Sequence, residues 1–143
     1  MFTVSPWVYF ALLSALFAAL TAIFAKAGLK NIDADLATAI RTAIILLITW
    51  SVVLFKKSTS ELPTLSRSNW FFLILSAIAT GLSWLFYYRA LQLGKASEVS
   101  IIDKGSLLLV VLLSFIFLKE PVTPRLLLGA GLVFAGMLVV IWK

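Results

Sequence analysis

Residues 84–120, WLFYYRALQLGKASEVSIIDKGSLLLVVLLSFIFLKE, set long apolar runs beside charges that lie inside or at the edges of those runs. A charge near bilayer hydrocarbon costs about 3 kcal/mol on insertion scales, so Arg89, Asp103 and Lys104 need explaining before any leucine does. Outward from this stretch the pattern repeats. The chain is 62% hydrophobic with a mean hydropathy of +1.10, and its twelve Lys and Arg and six Asp and Glu are gathered into short segments between apolar blocks. Such a composition belongs to membrane proteins and not to a globular surface.

A helix crosses the hydrocarbon with roughly 20 apolar residues. Five segments qualify, about 4–29, 36–55, 70–91, 97–118 and 125–142. Lipid satisfies no backbone group, which leaves helices or closed barrels, and the unbroken runs lack the alternation of barrel strands. The expected fold is therefore all-α and integral to the membrane, with five transmembrane helices in a single domain over 1–143. Short connections make consecutive helices antiparallel neighbours. Asp33 or Asp35 can cap the second helix, Gly94 can close the third, and Thr123 with Pro124 opens the fifth. The exception is 56–69, KKSTSELPTLSRSN, a polar surface loop with room for one short interfacial turn. No basic region precedes Trp7, and the first apolar run outlasts a signal-peptide core, so it reads as a retained helix.

Cysteine and histidine are absent. This removes thiol chemistry, disulfides, histidine-centred base catalysis and nearly every transition-metal site, so neither metal nor cofactor is expected. No second membrane aspartate stands ready to pair with Asp103 as a two-carboxylate hydrolase requires, which argues against an enzyme. The net charge of +6 flanks apolar spans and so reads as topology setting or contact with anionic lipid, with no nucleic-acid partner. The side of the N-terminus carries Lys56, Lys57, Arg67, Lys119 and Arg125. The opposite side carries Lys26, Lys30, Arg89, Lys95 and Lys143, with Arg41 and Lys104 set apart as lying within helices. The sides then tie, which predicts weak orientation or insertion both ways round. Trp7, Trp50 and Trp70 fall at one interface and Trp142 at the other, whereas Trp84 fits an aromatic belt less easily.

Helical spacing brings Thr38, Arg41, Thr42 and Thr49 to one face of the second helix. Ser76, Thr80, Ser83 and Tyr87 share a face of the third; Ser100, Asp103, Lys104 and Ser114 share one of the fourth; Ser14, Ala18, Thr21 and Ala25 form a small-residue stripe on the first. The fifth offers only Gly129, Gly131, Ala135 and Gly136, suited to close helix packing. Arg41, Asp103 and Lys104 each lie roughly two turns inside the same boundary, at about 1.5 Å per residue. Arg89 faces away from the hydroxyls of its own helix, toward headgroups or another helix. Two readings of these charges stand. Arg41 and Asp103 form a buried ion pair that fixes helix packing, with Lys104 snorkelling; or the basic excess awaits the carboxylate or phosphate of a visiting solute. Likewise the hydroxyls bond either neighbouring backbone or ligand.

The segments ALQLGKASEVS (90–100) and SFIFLKEPVTPRLLLGAGLVFAGMLVV (114–140) resemble the EamA domain of the drug/metabolite transporter superfamily. The most specific pieces are ALxxGxAS at 90–97 and the turn at 117–120, followed by a last helix with Gly129 and Gly136. ATAIRT, SWLFYYRAL and IDK resemble short bacterial members consisting of one such domain. Larger members fuse two five-helix domains with inverted topology and move small metabolites or drugs. The present chain is similar to one half of that arrangement, and has Lys104 and Gly105 where many relatives place a proline.

The resemblance implies a multi-pass protein of the bacterial plasma (inner) membrane, a secondary transporter of small metabolites, and the embedded basic excess favours anionic or zwitterionic solutes. It would act by alternating access as an antiparallel homodimer or with a similar half-length chain, since an odd number of helices cannot supply an inverted repeat alone. Candidate substrate-binding residues are Arg41, Thr42, Ser83, Trp84, Tyr87 and Lys104, with Asp103 and Arg41 as a coupling or ion-pair set. The alternatives are a non-transporting accessory or scaffold subunit, and cationic drug efflux. The last is weakened by the first helix, which has no carboxylate.

Overall fold

In a computed structural model the described residues are 5–142. They are predominantly helical, with no strand among them, and five stretches are long and apolar enough to cross a membrane. The expected starting residue Val4 and the terminal Lys143 of the charge count lie outside the described residues. Helix α1 is Pro6–Gly28, α2 is Ala34–Phe55 and α3 is Arg67–Leu93. The fourth span, Ala96–Leu118, comprises α4 (Ala96–Asp103), α5 (Ser106–Leu113) and a π-helical turn Ser114–Leu118; α6 is Pro124–Ile141. The chain divides into two compact units, one ending at Leu93 and the other beginning at Gly94.

Most helix ends follow from local chemistry. The Asp33 carboxylate accepts hydrogen bonds from the backbone N–H of Asp35 and Leu36, each at 3.0 Å, and so settles which aspartate caps α2. Thr123 accepts from the N–H of Leu126 at 3.2 Å, with Pro124 in the first helical position of α6. Helix α3 starts three residues before the apolar run. Ser66 Oγ accepts the Asn69 N–H at 3.1 Å and donates to Asn69 Oδ1 at 2.6 Å, a polar cap that nucleates the first turn ahead of Trp70. Within the polar loop, Ser58–Thr64 forms a 3-10 turn entered through Lys57 at φ 56°.

In the second unit the fourth span is interrupted where its charges lie. Beyond Asp103 the backbone switches to tighter bonds: Gly105 N–H to Ile102 O at 2.9 Å, Leu107 N–H to Lys104 O at 3.0 Å, and Leu108 N–H to Gly105 O at 3.2 Å. Ser106 Oγ donates to the Asp103 carbonyl at 2.8 Å, replacing a backbone donor. Glycine is needed at the break for room. A Cβ on Gly105 would lie 2.5 Å from Met137 Sδ of α6 and 3.0 Å from Ile102 O. Asp103 and Lys104 flank this break as a loose, exposed pair, 3.9 Å apart.

Packing in the first unit is confined to one end. The buried residues there are Ala22, Leu29, Ala34, Thr38, Tyr88 and Leu91, all from the end of α1, the start of α2 and the last turns of α3. Every residue from 9 through 20 and from 66 through 80 is exposed. A membrane helix normally buries one face against its neighbours. The opposite halves of α1 and α3 bury none.

Candidate functional site

Polar side chains tie the packed end together. Arg89 forms a bidentate pair with Asp35, Nη2 to Oδ2 at 2.6 Å and Nε to Oδ1 at 3.1 Å, joining α3 to α2. Gln92 Nε2 donates to the Ile32 carbonyl at 2.7 Å, and Lys26 Nζ donates to the Leu91 carbonyl, joining α3 to the α1–α2 turn and to α1. Of the two destinations open to Arg89, headgroups or another helix, the structure takes the second. Asp35→Asn is expected to lower the thermal midpoint in detergent by a few degrees at most and to speed hydrogen exchange in residues 29–33. Arg89→Lys should match it, because an ammonium cannot reproduce the fork. An unchanged exchange rate would mean the pair does not hold this end.

One turn inside the clamp, α1, α2 and Tyr88 line an open groove of about 400 Å³. Phe24 and Ala25 of α1 and Ile40 and Ile44 of α2 supply apolar parts of its wall. Arg41 and Thr21 bring the polar atoms of α1 and α2. Thr21 Oγ1 already donates to Phe17 O at 2.8 Å, so its lone pairs remain but its proton is committed. Arg41 is held from α3: its guanidinium carbon lies 4.1 Å from the ring centre of Trp84 and 5.5 Å from that of Tyr88. Such stacking contributes about 0.5–2 kcal/mol and orients the fork without using its N–H groups. Arg41 Nη1 is buried and has no hydrogen-bond partner among the described residues.

The other candidates fall elsewhere. Thr42 donates its hydroxyl to Thr38 O at 2.8 Å and Ser83 is exposed; with Tyr87, which packs edge-on against Tyr88 at 6.4 Å, they lie outside the cavity wall. Lys104 and Asp103 belong to the second unit, beside its helix break. The hydroxyl alternatives resolve toward backbone in α2, where Thr38, Thr42, Thr49 and Ser51 each donate to a carbonyl one turn back. The packed face of α3 is Trp84, Tyr88 and Leu91 at i, i+4 and i+7, while Ser76, Thr80 and Ser83 stay exposed. Tyr88 was readable from its four-residue spacing to Trp84. The contributions of Phe24, Ile40 and Ile44 carried no signal distinguishing them from any other apolar residue.

Five helices long and apolar enough to span, three of them lining a small apolar groove that holds one arginine, describe a multi-pass membrane protein. The chain belongs to the EamA-like transporter family, whose model matches residues 5–142. It is similar to a Sinorhizobium sp. protein described as an uncharacterized transporter in the cobO 3′ region, 43% identical over 132 residues that cover 92% of this chain and 94% of that one. No solved structure matches. Family and relative thus point to a membrane transporter and away from an enzyme.

Proposed function

We propose that the protein is a secondary transporter of small anionic or zwitterionic solutes in the bacterial inner membrane, working by alternating access as two copies inserted in opposite orientations. The observation that carries this reading is Arg41: a guanidinium braced on Trp84, lining a cavity, with a buried Nη1 left unpaired. A buried donor without a partner costs about 1–3 kcal/mol, a cost removed when the guanidinium turns toward a carboxylate or phosphate oxygen in the groove. A cationic drug would meet like charge at the same wall.

Pairing draws support from three features. The basic residues tie between the two sides of the membrane. Half of the first unit buries no face. The Sinorhizobium relative is matched over nearly its whole length, so a chain of about five spans recurs. An inverted second copy would supply the symmetry around which alternating access rocks. Lys104 and Asp103, beside a broken helix, are the second unit's candidates for substrate contact and coupling, because interrupted membrane helices recur at transport sites.

The test is flux into liposomes containing only this chain, screened across amino acids, organic acids and phosphorylated metabolites. Saturable, protein-dependent movement of an anion or zwitterion is expected. Flux that appears only with another membrane protein would replace transport by an accessory role, and selective flux of cations would overturn the charge assignment.

A further inference from the structure

Charge arithmetic in the cavity narrows the solute class, on the footing that the cavity is the transport site. Among the described residues Arg41 is the one cationic side chain on the wall, and no Asp or Glu lines it. A single positive charge neutralises a single negative one. A second anionic charge, or the ammonium of a zwitterion, would find no opposite charge on this wall, and unpaired charge in a low-dielectric site is strongly disfavoured. Apart from the Thr21 hydroxyl, the rest of the wall is mainly aliphatic and aromatic: Phe24, Ile40, Ile44, Ile45 and the ring of Tyr88. Cavities of roughly 300–1,000 Å³ hold drug-sized ligands, so about 400 Å³ suits the small end of that range.

We infer that the preferred ligand is a small monocarboxylate with an apolar body, its carboxylate on the Arg41 guanidinium and its body against Phe24, Ile40 and Ile44. The zwitterions admitted by the broader reading rank below it. Arg41 lines the groove with its guanidinium carbon 4.1 Å from the ring centre of Trp84. Among the described residues the groove itself offers no second cation for the further charge of a phosphate. Recognition is therefore divided: the guanidinium selects the charge and the α1–α2 wall selects the body.

The experiment compares probes of one shape and different charge, using the full chain in nanodiscs of zwitterionic phosphatidylcholine. 3-Phenylpropanoate, its neutral amide, L-phenylalanine and 3-phenylpropylammonium are titrated by calorimetry. The carboxylate should bind at least about tenfold more tightly than the amide, the energy of a charge-assisted hydrogen bond being about 1.5–3 kcal/mol. Phenylalanine should bind more weakly than the carboxylate, and the ammonium should not bind. In Arg41→Gln the carboxylate and amide should become equal, a loss of charge selectivity that general loosening of the fold would not produce. Ile44→Trp, which fills the wall and leaves Arg41 in place, should weaken carboxylate and amide together.

Equal binding of carboxylate and amide by the unsubstituted protein, or tighter binding of phenylalanine, overturns the inference. So does loss of the probe in discs of phosphatidylglycerol at matched ionic strength, since the recognised anion would then be a lipid headgroup. Charge-selective binding without flux in liposomes would sink the transporter reading and leave the ligand class standing. Flux of other solutes without probe binding would do the reverse.

Discussion

Arg41→Met is expected to cut solute flux by about 10- to 100-fold while shifting unfolding stability by no more than about 1 kcal/mol. The first figure is the loss of a charge-assisted hydrogen bond to ligand, about 1.5–3 kcal/mol. The second follows from two effects that oppose each other. Removing the guanidinium forfeits its stacking on Trp84, about 0.5–2 kcal/mol, but also removes a buried donor with no partner, which costs about 1–3 kcal/mol to keep. Methionine retains most of the apolar stem, so no large void opens. A residue kept at some cost to stability and lost at large cost to activity serves a ligand. Were Arg41 half of a structural ion pair, removing it would strand a buried charge and destabilise by about 3–5 kcal/mol. Thermal unfolding in detergent beside liposome flux separates the two cases.

The second large effect concerns orientation. Ser58→Lys with Ser60→Lys adds positive charge to the 56–69 loop, and Ser97→Lys with Glu98→Lys adds it at the opposite end of α3. Because the native basic residues tie, either pair should hold nearly all molecules one way round. Each double variant alone is expected to fall to background flux, and the two produced together should recover most of it. Full activity from one oriented variant alone would mean that a parallel assembly, or one copy, suffices.

Much of the fold was legible because the bilayer leaves the chain few options. Apolar runs of spanning length must be helices, and all five appear within about three residues of their expected ends. The start of α3 at Arg67 was missed because its cap is polar and lies ahead of the hydropathy signal. The break at Lys104 and Gly105 was also hidden. The sequence 101–113 reads as one apolar helix with a glycine in it, and only the approach of Met137 explains why that glycine ends a segment.

The site was half legible. Arg41 announced itself by the cost of a charge in hydrocarbon, and Trp84 by its poor fit to an interfacial belt. Their stacking depends on the register of α2 against α3, which the Arg89–Asp35 pair fixes at a distance no periodicity encodes. Thr42 and Ser83 were proposed from shared faces, yet a threonine in a membrane helix can satisfy its hydroxyl one turn back, as Thr42 does. Helical spacing says which residues could meet a solute. It does not say which hydroxyls are already committed.

Absence of native cysteine allows a direct measurement of orientation. With Ser60→Cys in the exposed loop, a membrane-impermeant maleimide added to intact spheroplasts should label about half of the molecules, and the remainder only after the membrane is opened, as a population inserted both ways requires. Labelling of all molecules, or of none, before opening would contradict an assembly of two inverted copies.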